Sequence, residues 1–396
     1  MGHFEKDAII SGLGISRIGR RTGIPSLDLT LESVVAAIDD AGLTASDIDG
    51  IATFGDTPTA EVLDALGIRA QDRTTGFDTG GVLIPVMSAC RAVSERQARH
   101  VLVYRTVAML GGSMNQEASP MLNPLASPPV EPHVPGTRRK LKPFEDIDEL
   151  VAAHSYSAAN WLAMHCRRHM ELYGTTKEQL GWLAVNSRRN AGLNPRAAYR
   201  EPMTMEDYLS ARPVSTPFGL FDCDVPIDGS IALVVSHADY AADSPKPAVA
   251  VQAIGGTYGS GGWFHRDDFP KMASVEAAAE MWSRTDLTAS DVDVAELYDG
   301  FTFLTFAWLE ALGFCADGEA GPFVEGATRI ALDGPLPLNT YGGQLSAGRM
   351  HGYWLLHEAC LQLRGEAGER QLARRPEVAV AAAGGGPIAG CMLLTC

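Results

Sequence analysis

Basic residues are scarce in this chain, and its cysteines form no motif. The 396 residues include 32 Lys and Arg against 48 Asp and Glu, a formal net charge of −16. Binding to a phosphate backbone needs clustered basic side chains, so nucleic acid is excluded as a partner. None of the seven cysteines lies at CxxC spacing, so neither a disulfide framework nor a zinc site is indicated. This pattern is typical of reduced thiols in the cytoplasm.

No apolar run qualifies as a signal peptide or a membrane helix. Residues 1–7 carry charges where a signal peptide needs an apolar core. Residues 378–396 are mostly uncharged, but three glycines at 384–386 and Pro387 interrupt them. We therefore expect a turn between two buried strands here, in a cytoplasmic protein without a membrane span.

Two short segments are almost identical. LTASDID at 43–49 returns as LTASDVD at 287–293, each after an amphipathic stretch and before a short apolar run. Both copies predict a helix, a turn and a strand. The separation is too long for a solenoid, whose period is about 20 to 50 residues. The sequence therefore predicts an internal duplication, with one half at 1–245 and the other at 246–396.

The remaining pattern alternates strands and helices, which favours an α/β fold. Strands are predicted at 8–14, 100–107 and 248–255, and helices at 27–41, 149–173, 176–190 and 205–211, with a glycine turn and a helix within 79–98. Residues 111–144 break this pattern with Pro, Ser, Asn and Met. A loop insertion at about 111–145 is predicted, and loops of this length usually have a function or move.

Several motifs in combination resemble the thiolase superfamily. They are the glycine turn after Thr79, a Cys-Asp-x-Pro-x-Asp-Gly loop at Cys223, ELYDGF at 296–301, NTYGGQLSAG at 339–348 and the terminal glycines. The resemblance covers nearly the whole chain and is strongest to the lipid-transfer-protein-like branch. It implies a thiolase fold, with two duplicated βαβαβαββ halves in a five-layered αβαβα arrangement.

The groups that a thiolase uses for covalent chemistry are missing. The nucleophilic Cys of the family lies at the start of the glycine-turn helix, where this sequence reads DTGGV at 78–82, and Cys90 lies further along. Ala382 stands where a second Cys acts as acid and base, and Arg349 stands at the His of the Gly-His-Pro motif. The usual route through a covalent thioester therefore has none of its groups.

Tyrosines stand at two positions that thiolases fill with asparagine, Tyr298 and Tyr341. In this the chain is similar to the thiolase-superfamily aldolases of bacterial steroid degradation, which cleave a β-hydroxyacyl-CoA by a retro-aldol step. That step takes a proton from the β-hydroxyl, stabilises an enolate and returns a proton to the α-carbon. The hypothesis is that one tyrosine takes the hydroxyl proton and the other protonates the enolate or holds its oxygen. Which tyrosine does which stays open.

Other residues are expected to support the tyrosines. A phenol has a pKa of about 10, and Arg349 and His351 are the candidates to help it ionise. Asp299 is expected to fix its loop. The family pattern implies backbone N–H groups of Gly80 and Gly385 as oxyanion donors. No metal and no cofactor are expected.

Each assignment has a structural alternative. A buried tyrosine can simply pack, with one partner for its hydroxyl. Arg349 can form an ion pair with Asp299 or Glu358, and His351 can be a satisfied polar residue. The alternative functions are a non-catalytic subunit that binds acyl-CoA or lipid, and an acyltransferase that uses another thiol. The basic run at 138–142 is either a solvated loop or a contact for CoA phosphates.

Expectations about assembly come from the resemblance. It implies an acyl-CoA thioester as substrate, a homodimer, and a small partner subunit with an OB-fold and a zinc ribbon. The Met- and Pro-rich segment 109–135 is expected to order against that partner or a sterol, because flexible Met-rich surfaces suit apolar ligands.

Overall fold

Buried strands alternate with amphipathic helices along the chain. The computed structural model describes residues 3–54, 57–68, 74–78, 82–108, 146–258 and 262–396. In these ranges the strands are β1 (Ala8–Ile15), β2 (Gly50–Thr53), β3 (Thr74–Asp78), β4 (His100–Ala108), β5 (Pro213–Ser215), β6 (Phe218–Gly219), β7 (Asp228–His237), β8 (Val249–Tyr258), β9 (Val294–Leu297), β10 (Val378–Gly385) and β11 (Ile388–Thr395). The α-helices are α1 (Ser26–Asp40), α2 (Thr59–Leu66), α3 (Ile84–Ser94), α4 (Ile147–Ala152), α5 (Ala158–Tyr173), α6 (Lys177–Gly192), α7 (Met205–Leu209), α8 (Ser274–Trp282), α9 (Thr302–Ala311), α10 (Ala320–Val324) and α11 (Tyr353–Arg364).

The strand order repeats on the two sides of the sheet. Within the described residues, nine strands join in the order β3-β2-β4-β7-β1-β8-β11-β10-β9. Outward from the β1–β8 junction, the order is β1, β7, β4 and β2 on one side and β8, β11, β10 and β9 on the other. In chain order within its half, each side therefore has its first strand, its last, the one before the last and its second. β3 then pairs in parallel with β2, and a parallel bridge between Ala295 and Leu338 takes the same place beside β9. This repeated order supports a duplication. The boundary at 245 and 246 falls between β7 and β8, and it stays a prediction.

The two nearly identical segments have the same local structure. In each, a threonine caps a single 3₁₀ turn: Thr44 N donates to Asp47 Oδ2 at 2.8 Å, and Thr288 N donates to Asp291 Oδ2 at 2.8 Å. The first turn lies between α1 and β2, and the second lies between α8 and β9. The predicted succession of helix, turn and strand is confirmed in both copies.

The central strands are buried on both faces, as expected when helices cover both sides of a sheet. Along β4, Val101 and Val103 join the cluster that contains α3, whereas Leu102 and Tyr104 join the cluster that contains α1 and α2. A fully buried side chain of this kind contributes about 1.5–3 kcal/mol. A Cβ on Gly12 would lie only 2.1 Å from Ala37 O, so a glycine is needed where α1 crosses β1.

The terminal apolar run forms a hairpin, as predicted. β10 and β11 pair in antiparallel register from Val378 opposite Thr395 to Gly385 opposite Ile388. In the ranges that the structure describes, no helix is both long enough and apolar enough to cross a membrane.

One helix prediction is wrong. The continuous helix at 149–173 is two helices, α4 and α5, separated by a turn at 153–157. His154 leaves the helical conformation with a φ of 57°, and Ser157 and Asn160 form a capping box that starts α5. The insertion at about 111–145, including the segment 109–135 and the basic run, lies outside the described residues.

Candidate active site

The carboxyl end of β9 carries Tyr298, Asp299 and Gly300. Sites in α/β sheets collect at such strand ends. Tyr298 keeps 9% of its surface exposed, whereas Asp299 keeps 1%. A Cβ on Gly300 would lie 2.7 Å from Tyr298 Cε1, so a larger residue at 300 would displace the tyrosine ring.

Asp299 fixes a neighbouring turn rather than its own loop. Its Oδ1 accepts a hydrogen bond from Gln344 N at 2.8 Å, and its Oδ2 accepts one from Leu345 N at 3.4 Å. Both donors belong to a single π-helical turn, Gly343–Ala347, a feature that is frequent at functional sites. Burial raises the pKa of Asp299 to about 7, although these hydrogen bonds oppose the rise. Asp299 therefore determines where the Gln344 turn lies against β9.

Four polar side chains act on Tyr298, and His351 contacts two of these four. Arg349 pairs with Asp224 at 3.4 Å, Arg105 Nη2 contacts His351 Nδ1 at 2.9 Å, and Gln344 Oε1 accepts a hydrogen bond from His351 N at 3.1 Å. Asp224, Arg349, Arg105 and Gln344 all influence the pKa of Tyr298. We call this group the Tyr298 cluster; its members are Tyr298, Arg105, Asp224, Gln344, Arg349 and His351.

The phenol of Tyr298 keeps its proton in this setting. Burial and the charge of Asp224 raise its pKa, whereas the charges of Arg349 and Arg105 act in the opposite direction. The net change is upward from the ordinary value of about 10. Burial also raises the pKa of Asp224. The cation that the sequence predicts is present, but its effect is smaller than that of burial.

His351 is a neutral hydrogen-bonding group. A guanidinium has only donors, so the contact from Arg105 requires His351 Nδ1 to accept and places the ring proton on Nε2. Burial and the two neighbouring arginines lower the pKa of His351 well below its ordinary value. A neutral His351 brings no charge to the tyrosine, and its role in helping the phenol to ionise stays a prediction. Arg105, which also lies 4.6 Å over the Phe54 ring, supplies the second cation.

Tyr341 lies in a more enclosed place than Tyr298. It has no exposed surface, and its ring stacks on Trp354 with centroids 5.0 Å apart. Its hydroxyl has no hydrogen-bond partner among the described residues. Burial and the charges of Asp299, Glu296 and other neighbours raise its pKa well above the ordinary value. Both phenols are therefore proton donors near neutral pH.

Arg349 forms an ion pair, but with neither of the acids that the sequence suggests. Glu358 forms a two-point ion pair with Arg370, at 2.9 Å for each contact, and Asp299 accepts backbone N–H groups. Arg349 instead pairs with Asp224. This contact leaves Arg349 beside Tyr298, where its charge affects the phenol.

The predicted glycine donors are not placed at the cluster. Gly80 lies outside the described residues. Gly385 lies at the end of β10, opposite Ile388, and a Cβ there would meet Leu304 at 2.3 Å. Neither of these neighbours belongs to the Tyr298 cluster, so the role of Gly385 stays a prediction.

Comparison with known proteins identifies the family. A family model described as thiolase C-terminal domain-like matches residues 259–394. A Thermomonospora curvata protein named "Steroid side-chain-cleaving aldolase" is 33% identical over 98% of this chain and 97% of its own length. A Mycobacterium tuberculosis protein named "17-hydroxy-3-oxo-4-pregnene-20-carboxyl-CoA lyase" is 31% identical over 98% of each chain. The chain belongs to the thiolase superfamily.

A solved structure of a superfamily relative supports the same fold. This relative, named "Ltp2-ChsH2(DUF35) aldolase", is 31% identical, with a TM-score of 0.85, and the match covers 99% of this chain and 98% of its own. The predicted α/β thiolase fold is confirmed. The likeness to the lipid-transfer-protein-like branch is confirmed as well.

This thiolase-superfamily chain has no ready thiol nucleophile among its described cysteines near the site. Cys90 is fully buried within α3, and burial raises its pKa to about 12. Cys223, next to Asp224, is partly buried, and burial raises its pKa to about 12 as well. A thiol with such a pKa is protonated at neutral pH and is a poor nucleophile. The acyltransferase alternative therefore has no support here.

Three members of the Tyr298 cluster were missed by the sequence analysis. Asp224 and Gln344 lie inside motifs that were recognised, but no role was assigned to them. The signal for Asp224 was a charged residue in the Cys223 loop, and the signal for Gln344 was a side-chain amide directly after Gly343. Arg105 follows an apolar run on β4 and is 8% exposed. A cation inside a buried strand was the signal that could have found it.

Proposed function

We propose that this chain is a carbon–carbon lyase that cleaves a β-hydroxyacyl-CoA with a sterol or bile-acid side chain. The products are a ketone and a short acyl-CoA. The observation that carries the proposal is the Tyr298 cluster, which provides proton-transfer groups in a chain that lacks the thiolase cysteines. The relatives named steroid side-chain-cleaving aldolase and pregnene-carboxyl-CoA lyase support the same reaction class.

Tyr298 is the proposed proton-transfer group. Its phenol takes the β-hydroxyl proton while its own proton passes to Asp224, whose raised pKa makes it a better base. The hydroxyl becomes the ketone, the bond between the α- and β-carbons breaks, and its electron pair moves onto the thioester as an enolate. The proton then returns through Tyr298 to the α-carbon. No free phenolate forms, which agrees with the raised pKa of Tyr298.

Two buried donors are proposed to stabilise the enolate oxygen. The Tyr341 hydroxyl and the Gln344 side-chain nitrogen have no hydrogen-bond partner among the described residues. A buried donor without a partner costs about 1–3 kcal/mol, a cost that a bound oxygen would remove. Such donors act when they are aimed at developing charge. Because Tyr341 is enclosed, neighbouring side chains must move for the oxygen to reach it, so we expect the smaller effect there.

The assembly is proposed from the family. The name of the solved relative includes a second protein, ChsH2(DUF35), beside the aldolase. We propose a homodimer of this chain with a small OB-fold and zinc-ribbon partner attached, working in the cytoplasm. Gly80 and Gly385 stay proposed oxyanion donors from the family pattern.

Incubation of the chain and its partner with a sterol-derived β-hydroxyacyl-CoA tests the proposal. Release of a ketone and a short acyl-CoA in equal amounts supports the lyase. Binding of the thioester without cleavage would favour the alternative, a non-catalytic acyl-CoA- or lipid-binding subunit. The largely buried position of Tyr298 suits both functions, and only turnover separates them.

A further inference from the structure

A cavity lined by residues from the first and last parts of the chain lies away from the Tyr298 cluster. Its volume is about 490 Å³. Its walls come from the end of β1, the segment 193–200 after α6, one face of α11 and the segment 366–370. No member of the Tyr298 cluster lines it. The volume falls in the range of about 300–1,000 Å³ that is usual for small-molecule sites.

His357 provides an unsatisfied polar group in the wall of this cavity. The residue is 4% exposed, and its Nδ1 has no hydrogen-bond partner among the described residues. Burial, together with the charges of Arg370 and Arg196, lowers the pKa of His357 to about 3. The ring is therefore neutral, with one donor and one acceptor. A buried polar group without a partner calls for an explanation, and a bound ligand is one.

Apolar side chains lie beside His357. Trp354 and Leu361 lie three residues before it and four residues after it on α11, so all three share one helical face. Leu13 and Ile15 of β1 line the same cavity. An apolar ligand body would lose water here, at roughly 25 cal/mol per Å² of buried surface.

The acids in the wall already have basic partners. Asp40 contacts Arg364 and Lys246, at 2.6 Å for each, and Lys246 also contacts Glu366 at 3.2 Å. These contacts neutralise most of the negative charge in the wall. Glu369 is exposed at the rim and is the remaining acid.

Two arginines at the cavity carry charges that no described carboxylate neutralises by direct contact. Arg196 donates to Ser16 O at 3.0 Å, and Arg200 donates to Gly192 O at 3.1 Å. Both contacts are to neutral backbone oxygens. An arginine presents five donors in a planar fork, so each keeps donors for a carboxylate. The positive charge stands out in a chain whose net charge is −16.

We propose that this cavity binds a small amphipathic carboxylate with a hydroxyl or keto oxygen on its apolar body. The carboxylate lies at Arg196 and Arg200, and the apolar body lies along Trp354 and Leu361. The second oxygen bonds to His357 Nδ1 after a small movement of the neighbouring side chains, because this atom is fully buried. None of its residues belongs to the Tyr298 cluster, although Trp354 in its wall also stacks on Tyr341.

Calorimetric titration of the full chain with 10-hydroxydecanoate tests this site. Arg196→Gln combined with Arg200→Gln should weaken binding about tenfold or more, because charge-assisted hydrogen bonds are lost. The matched control is Arg21→Gln combined with Arg329→Gln, which removes the same charge from exposed arginines outside the cavity and should leave binding unchanged. Equal affinity in wild type and the first double variant would overturn the proposal, as would equal weakening in both double variants.

Two further titrations identify the ligand chemistry. Wild type should bind 10-hydroxydecanoate more tightly than decanoate, which lacks the hydroxyl, or 1,10-decanediol, which lacks the charge. His357→Leu should abolish the preference for 10-hydroxydecanoate over decanoate and keep the preference over 1,10-decanediol. If the variant still prefers 10-hydroxydecanoate over decanoate, His357 is not part of the site. Displacement of 10-hydroxydecanoate by coenzyme A would contradict a separate site and assign the cavity to the acyl-CoA path.

Discussion

The two halves carry the same turn and strand, but they end differently. If Asp49 is placed on Asp293, Phe54 falls on Tyr298. Phe54 lies under Arg105 at 4.6 Å, and its ring is 5.9 Å from that of His351. Tyr298 lies among Arg105, Arg349 and Asp224. Both aromatic rings therefore reach one polar cluster, and only the ring from the second half brings a hydroxyl.

This difference shows how a duplicated scaffold separates support from chemistry. The Thr44 turn precedes β2 and the Thr288 turn precedes β9, and the two turns have the same structure. The two strands therefore start from equivalent positions. One strand end then supplies a flat apolar surface for a cation, and the other supplies a proton donor. In the proposed reaction, function depends on the residue at the strand end rather than on the fold around it.

Tyr298→Phe makes the second half resemble the first and should have the largest effect. A general acid–base group contributes about 10²- to 10⁴-fold, so we expect the cleavage rate to fall about 10³-fold with thioester binding retained. Steady-state cleavage assays check this. Tyr240→Phe, a tyrosine that packs on His100, is the control and should keep the full rate. A Tyr298→Phe rate within about twofold of wild type would remove the phenol from the mechanism.

Asp299→Asn removes a carboxyl that the first half lacks. The equivalent position in the sequence of the first half is Gly55. The pKa of Asp299 is raised in the folded state to about 7, so its stabilising effect is full below about pH 4 and is lost as pH rises toward 7. Between about pH 4 and pH 7, the ionisation of Asp299 should lower the free energy of unfolding of wild type by up to roughly 1.4 kcal/mol per pH unit. Urea unfolding at several pH values measures the slope. An unchanged slope in Asp299→Asn would contradict the assignment.

Tyr341→Phe should have a smaller effect than Tyr298→Phe. It removes one hydroxyl that has no partner among the described residues and keeps the ring on Trp354. Loss of one hydrogen bond to the enolate costs about 1.4 kcal/mol, or about tenfold in rate. The same cleavage assay provides the measurement. A loss as large as that of Tyr298→Phe would make the two phenols equal partners in proton transfer.

Thr44→Ala and Thr288→Ala should have the smallest and most similar effects. Each removes an equivalent hydroxyl hydrogen bond, from Thr44 Oγ1 to Asp47 Oδ2 at 2.7 Å and from Thr288 Oγ1 to Asp291 Oδ2 at 2.8 Å, so each should cost about 1 kcal/mol in the free energy of unfolding. Chemical denaturation measures both. Costs that differ by more than about 1 kcal/mol would show that the two halves do not support their strand ends alike.

The sequence predicts the fold well because the fold depends on patterns along the chain. The repeated LTASD segments and the terminal hairpin are local features, and both were recovered. The break between α4 and α5 was missed because it depends on the capping of Ser157, which competes with a continuous helical pattern. The repeated strand order could not be predicted either, because it is visible only in which strands pair with each other.

The site was predicted only in part. Tyr298, Arg349 and Asp299 lie in motifs and could be singled out from the sequence, and their roles stay predictions. The charge of His351 could not be predicted, because it depends on Arg105, which is 246 residues away in the sequence. The enclosure of Tyr341 also depends on its packing against Trp354. Tertiary contacts, rather than residue types, determine which group carries charge.

Cleavage of a sterol-derived β-hydroxyacyl-CoA in D₂O, with the partner subunit present, is the most direct test of the proposed lyase reaction. For wild type we predict a ketone and a short acyl-CoA that carries one deuterium on its α-carbon, because the enolate takes a proton that exchanges with solvent. Tyr298→Phe should bind the thioester and release neither product. Thioester hydrolysis without a ketone, or full cleavage by Tyr298→Phe, would contradict the proposed reaction.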